Sequence, residues 1–118
     1  MSDVKNAFDL SYLNQVFQGN KSLVTEIVEL FLKQVPEYVE AMERHLDDGS
    51  FDKIHPLAHK SKSSASMLGL RDLECRLIEI ETFSKTGTND LLHDRMKELR
   101  ERLNVCVQQL QLHLTEQL

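Results

Sequence analysis

A histidine and a lysine lie one helical turn apart in segment 58–69, AHKSKSSASMLG. An unperturbed imidazole has a pKa near ~6.5, so at neutral pH a histidine ring is mostly uncharged and one nitrogen keeps a free lone pair. That nitrogen can attack a phosphoryl group presented by another molecule. Lys62 can pair with the phosphoryl oxygens as negative charge develops, and it disfavours a protonated ring. The spacing therefore predicts a phosphate-accepting histidine supported by a cation.

Small or polar residues share the predicted helix face with this histidine. Each residue turns a helix by about 100°, which places His55, Ser63 and Ser66 beside His59 and puts Lys60 on the rim. The serines leave room for a partner, and their hydroxyls could donate to phosphate. We expect all four neighbours to face a partner, with His55 a polar neighbour of the phosphate site.

The apolar stripe of the same helix lies on the opposite side, at Ile54, Leu57, Ser61, Ser64 and Leu68. A structural histidine would lie on that stripe, so we expect His59 to be exposed. His55 and His59 have the spacing of a two-histidine metal site. A metal needs a third ligand, and no Asp or Glu lies on this face of the helix, so we predict no metal site.

Length and charge bound the class of protein. The chain has 118 residues, a net charge of −5 and 41% hydrophobic residues, which predicts one domain over 1–118. The acidic balance argues against binding to nucleic acid or to an anionic membrane surface. Cys75 and Cys106 form no C-x-x-C motif, which favours a reduced cytoplasmic compartment. The polar N-terminus lacks a signal-peptide core and favours a free-standing protein.

Hydrophobic residues recur with helical spacing along the whole chain, and no window alternates as a strand would. We predict an all-α fold, an antiparallel four-helix bundle with a short extra N-terminal helix. The first predicted helix runs from Asp9 or Ser11 through Phe17, the second from Asn20 to Asp48–Gly49, and the third from Ser50 to Gly69. The fourth follows Gly69 and ends at a loop over 84–89, and the fifth begins at Thr88 or Asn89.

The second predicted helix is interrupted by a proline. Its apolar positions are Leu23, Ile27, Leu30, Phe31, Val35, Tyr38, Met42 and Leu46. Because this pattern keeps its phase across Pro36, we predict one helix that bends there. Pro56 lies near the start of the third helix and predicts either a bend or a later start than Ser50.

The segment around His59 resembles the histidine phosphotransfer (HPt) domains of multistep phosphorelays, whose pattern is Ala-His-x-Leu-Lys-Gly-Ser-x-x-x-x-Gly. The residues in register are Ala58, His59, Lys62, Ser64 and Gly69. The Asp9–Leu13 segment, the Phe31 to Pro36–Glu37 step and the Leu77, Glu79 and Glu81 positions also resemble that family.

The resemblance implies a function. His59 would accept a phosphoryl group from the aspartate of one receiver domain and pass it to another receiver, with Lys62 as the supporting cation. Partners would be response-regulator receivers, a hybrid histidine kinase, or both. The chain would need no cofactor of its own, because the Mg²⁺ would lie on the receiver. The family fold is a four-helix bundle with a bent second helix.

Two positions depart from the family pattern. Ser63 replaces glycine, and because serine is also small we expect access to His59 to survive. Ser61 replaces leucine and points at the core. Its hydroxyl could bond back to the carbonyl one turn earlier, and Met67 or a neighbouring helix could fill the lost volume.

Two other functions remain open at this point. The chain could be a binding module that holds a receiver without taking up phosphate, although the presence of both His59 and Lys62 disfavours this. It could be the dimerisation and phosphoacceptor part of a histidine kinase, which would be an obligate dimer. We expect a monomer without kinase activity of its own, since no glycine-rich nucleotide motif is present. The partner surface should join the His59 face to the second helix near Leu23 and Thr25.

Overall fold

The computed structural model describes residues 7–86 and 89–116, and over these ranges the chain is helical and contains no strand. The all-α prediction is therefore confirmed for the described residues. The elements in those ranges are α1 (Ser11–Val16), α2 (Lys21–Asp48), a short 3-10 helix (Phe51–Lys53), α3 (Ile54–Met67), α4 (Arg71–Thr86) and α5 (Asn89–Glu116). None of the described helices is long and apolar enough to cross a membrane.

Of the first three helix starts, each with a predicted cap, only that of α2 has a side-chain cap. The Asn20 side chain accepts a hydrogen bond from the Leu23 backbone N–H at 3.2 Å, so the predicted cap of α2 is confirmed. Asp9 accepts from both the N–H and the hydroxyl of Ser11, at 2.9 and 2.6 Å, but the N-cap of α1 is Leu10 and no side chain caps this helix, so the cap predicted at Asp9 or Ser11 is wrong. The Ser50 side chain makes no capping hydrogen bond, because a 3-10 turn intervenes before α3, so that predicted cap is wrong.

Both prolines lie inside helices. α2 continues as one helix through Pro36. Pro56 is the third residue of α3, where backbone N–H groups have no partner within the helix, so its missing N–H loses nothing. The later start of the third helix is thus confirmed. Thr88 lies outside the described residues, and so does the side chain of Asn89.

The buried stripe of α2 agrees with the predicted one at Phe31, Val35, Met42 and Leu46 but not at its other positions. Val24, Val28 and Val39 are buried, whereas Leu23 and Leu30 are 39% and 47% exposed. Leu23 and Leu30 each lie one position before a buried residue, Val24 and Phe31. Helical spacing alone does not distinguish such neighbours, so the prediction is wrong at the two leucines and omits the three valines.

Packing joins the helices through one core. α2 contacts α3 and α5, and α4 contacts the same two helices. The ion pairs Asp72–Arg102, Arg76–Glu98 and Glu79–Arg95 connect α4 to α5. Because residue numbers rise along α4 as they fall along α5, these two helices are antiparallel.

The two cysteines differ in their surroundings. Cys106 belongs to the core, where burial raises the pKa of its thiol to about 11. Cys75 is exposed. One thiol therefore packs in the interior and the other faces solvent.

A close approach ties the N-terminal segment to the end of α3. Gly69 has φ +65°, and a Cβ there would lie 2.4 Å from the Asp9 carbonyl oxygen. The Asp9 N–H donates to the Leu68 carbonyl at 3.0 Å. Only glycine fits this contact, which holds α1 against the C-terminal end of the histidine helix.

Candidate functional site

Three basic side chains form one stripe along α3. His55, His59 and Lys62 follow steps of four and three residues, so they lie on one side of the helix, which faces α4. The His59 side chain is 60% exposed, as its position opposite the apolar stripe predicts. His55 and Lys62 are more covered, at 33% and 25%.

A carboxylate from α4 lies over this stripe. Glu81 accepts a hydrogen bond from Lys62 Nζ through Oε1, at 2.8 Å. Its Oε2 lies 3.0 Å from His59 Nδ1 and 3.3 Å from His55 Nε2. The Glu81 side chain is only 15% exposed. One acidic group therefore contacts all three basic side chains.

The contact with Glu81 fixes the roles of the two His59 nitrogens. An ionised carboxylate only accepts hydrogen bonds, so the contact at Oε2 requires a proton on Nδ1. In the neutral ring the lone pair then lies on Nε2. Since the ring is largely exposed, this nitrogen is the one suited to attack an electrophile held by another protein.

The same contacts control the charge of the carboxylate. The hydrogen bond from Lys62 is the largest cause that lowers the pKa of Glu81, and the hydrogen bond from His59 adds to it, while burial acts in the opposite direction. Glu81 therefore stays ionised at lower pH than an ordinary glutamate, and remains a hydrogen-bond acceptor for the ring.

Sequence reasoning assigned no role to Glu81. It considered acids on the face of the histidine helix only, and Glu81 lies 19 residues beyond Lys62 on another helix. A signal was present: Glu81 directly follows the buried Ile80 and lies between the buried Leu77 and Ser84. A charge at the edge of a core calls for a partner. Even with this acid in place, no group of three His, Cys, Asp or Glu within 7–86 and 89–116 is arranged to hold a metal ion.

The other predicted site residues divide into two groups. Lys60, Ser63 and Ser66 are exposed. The Ser63 hydroxyl donates to the His59 carbonyl at 3.3 Å, so its hydrogen bond is made within α3. Nε2 of His55 contacts Glu81, so His55 is more than the polar neighbour of the phosphate site that was predicted.

Ser61 is fully buried, as its place on the stripe predicts, but its hydroxyl has no hydrogen-bond partner in the described structure. The expected bond back along the helix is therefore absent here. The neighbouring Ser63 and Ser64 do make such bonds. Met67 is 37% exposed and lines a surface crevice, so it contributes to the surface of α3.

Exposed apolar side chains border the histidine helix. Leu30 of α2 and Met67 of α3 line a crevice of 90 Å³ between these helices. Leu23 is exposed two turns earlier on α2. Tyr12 and Val16 of α1 are exposed by 57% and 51%. These side chains offer apolar contact area on the elements next to α3.

Comparison with known proteins bears on this arrangement. A family model described as the Hpt domain matches residues 26–116. The match spans α3, α4 and α5 and most of α2, and it includes all four residues of the His55, His59, Lys62 and Glu81 cluster. Searches of curated proteins and of solved structures found no match.

Proposed function

The chain belongs to the Hpt domain family, which acts in histidine phosphotransfer in two-component signalling, and on this premise we propose that His59 is the phosphoacceptor of a phosphorelay intermediate. It takes a phosphoryl group from the aspartyl phosphate of one receiver domain and delivers it to the aspartate of another. The observation that carries the proposal is the contact of Glu81 Oε2 with His59 Nδ1, which leaves Nε2 free on an exposed ring.

The transfer step follows from this arrangement. The Nε2 lone pair forms a bond to phosphorus while the bond from phosphorus to the aspartate oxygen breaks, and the electron pair leaves with the aspartate. The proton stays on Nδ1, so the ring becomes a cation facing the Glu81 carboxylate. Positive charge therefore develops where a negative group already lies. The Mg²⁺ that receiver chemistry uses belongs to the partner.

Lys62 supports the same step from the side. Its ammonium group has three N–H donors. One of them donates to Glu81, and this hydrogen bond is enough to hold the side chain in place. The remaining donors are available to a phosphoryl oxygen on His59. The charge of Lys62 also keeps Glu81 ionised.

The receiver is proposed to dock over the His59 face and α2. Leu23, Leu30 and Met67 supply apolar contacts, and Lys60, Ser63 and Ser66 form the polar part of the surface. The partners are response-regulator receivers, a hybrid histidine kinase, or both. We propose that the chain acts as a cytoplasmic monomer, an antiparallel four-helix bundle with α1 as an extra helix and a bend at Pro36.

A labelling assay tests the proposal. A panel of receivers charged by a small phosphodonor is mixed with the protein, and we expect acid-labile, base-stable label on the wild type. His59→Gln should abolish the label, while His93→Gln, at an exposed histidine of α5, should keep it.

The two contrary outcomes point to different errors. Binding of receivers without any label would favour a binding module. Label that persists in His59→Gln would place the acceptor on another residue.

A further inference from the structure

The second histidine of the stripe has a role that phosphoacceptor chemistry alone does not require. We propose that His55 is a positioning residue: its Nε2 lies 3.3 Å from the same Glu81 oxygen that holds His59 Nδ1, and this contact keeps the His59 ring in the tautomer that accepts phosphate. The inference rests on the proposed function of His59.

The geometry places Glu81 between two flanking basic side chains. His55 lies one turn before His59 and Lys62 nearly one turn after it, so the carboxylate is held from both ends of the stripe. The two imidazole rings are nearly parallel, with an angle of 17° and centroids 6.4 Å apart. Each ring presents a different nitrogen to Oε2, Nε2 of His55 and Nδ1 of His59.

Exposure explains why a second donor matters. The His59 side chain is 60% exposed, so water competes for both its Nδ1–H and the carboxylate oxygen that receives it. A hydrogen bond open to water contributes little by itself. The His55 ring is half as exposed as the His59 ring and contacts Oε2 from the N-terminal side. It therefore excludes water from that oxygen and restricts rotation of the carboxylate.

The consequence for His59 is a bias between two neutral forms of the ring. With Oε2 held in place, the form with a proton on Nδ1 is favoured, and its lone pair on Nε2 faces the partner. With Oε2 free to turn towards water, the form with a proton on Nε2 gains population, and that form cannot attack through Nε2. His55 thus acts on the reaction through Glu81 and without touching the phosphoryl group.

Two substitutions of His55 distinguish the effect of a hydrogen-bond donor from the effect of side-chain bulk at this position. In His55→Gln the amide nitrogen lies the same number of bonds from the backbone as Nε2 of histidine, so it can still donate to Glu81. In His55→Leu the side chain keeps apolar bulk and loses the donor. His93→Leu, at an exposed histidine of α5, controls for the loss of an imidazole elsewhere.

The first measurement is ¹⁵N NMR of the histidine rings in the free protein, at a pH near ~8 where ordinary imidazole is neutral. We expect wild type, His55→Gln and His93→Leu to share a high ratio of Nδ1–H to Nε2–H forms of His59. In His55→Leu this ratio should fall at least about threefold, with unchanged helical content by circular dichroism.

The second measurement is single-turnover transfer from a charged receiver. We expect His55→Leu to lower the rate constant within the complex about threefold to tenfold at an unchanged receiver Kd, and His55→Gln to restore it. A His55→Leu protein whose tautomer ratio equals or exceeds that of wild type overturns the proposal. The tautomer ratio is measured without a receiver, so it tests the role of His55 separately from phosphotransfer. A failure of the labelling assay would bear on the proposed function alone.

Discussion

At the scale of the residue, the site depends on how one carboxylate is shared. Glu81 divides its two oxygens between a lysine and two imidazoles, and it is mostly covered by them. Its lowered pKa follows first from the hydrogen bond of Lys62 and then from that of His59. In the proposed reaction, the contact of His59 Nδ1 with Glu81 determines that Nε2 is the nitrogen that reacts, so the proposed chemistry depends on several side chains together.

Lys62 is the residue whose removal should affect transfer most selectively. We expect Lys62→Ala to slow transfer about tenfold, which corresponds to ~1.4 kcal/mol of transition-state stabilisation. Its ion pair with Glu81 is partly buried, and Glu81 keeps its contacts with both histidines, so the free energy of unfolding should fall by only about 1–2 kcal/mol. Single-turnover labelling and urea unfolding measure the two effects.

Lys60→Ala provides the matched control, because it removes the same charge from the same helix at an exposed position. Its rate constant within the complex should equal that of wild type. Equal rates in the Lys60 and Lys62 variants would remove Lys62 from the mechanism.

At the scale of the element, α3 carries the stripe of His55, His59 and Lys62 beside its buried stripe, and of these three side chains only His59 is largely exposed. His59 and Lys62 could be predicted as a pair because residues three apart share a face of any helix. The Asn20 cap is equally local. Glu81 could not be assigned from α3 alone, since its position depends on how α4 lies against α3. The α2 stripe is predicted correctly at Phe31, Val35, Met42 and Leu46 and wrongly at Leu23 and Leu30, because helical spacing alone does not choose between adjacent apolar residues.

The buried Ser61 gives a prediction at this scale. Its hydroxyl lies in the core of the α3 interface without a hydrogen-bond partner in the described structure. Ser61→Ala removes that unsatisfied group and favours the helix, so we expect the free energy of unfolding to rise by about 1–2 kcal/mol. Urea denaturation checks this, with transfer activity unchanged.

Ser64→Ala is the comparison on the same helix, because the Ser64 hydroxyl already donates to the Lys60 carbonyl at 3.5 Å. It should gain only the difference in helix propensity, about 0.5 kcal/mol. A Ser61→Ala protein less stable than wild type would mean that the hydroxyl is satisfied in solution.

At the scale of the whole molecule, the other helices hold α3 and α4 in the relative position that brings Glu81 to His59. The cross-links between α4 and α5, together with the Glu43–Arg100 ion pair between α2 and α5, fix the surrounding helices. The Gly69 contact with Asp9 anchors α1 at the far end of α3. The all-α class followed from hydrophobic periodicity, whereas this relative position is a property of the assembled core.

The most direct test is to identify the phosphorylated nitrogen. The protein is labelled with ¹⁵N, phosphorylated by a charged receiver, and examined by NMR for coupling between phosphorus and a ring nitrogen. We predict a single phosphohistidine at His59, with phosphorus on Nε2 and the proton retained on Nδ1 opposite Glu81. A phosphoryl group on Nδ1 of His59, or on the ring of another histidine, would contradict the account.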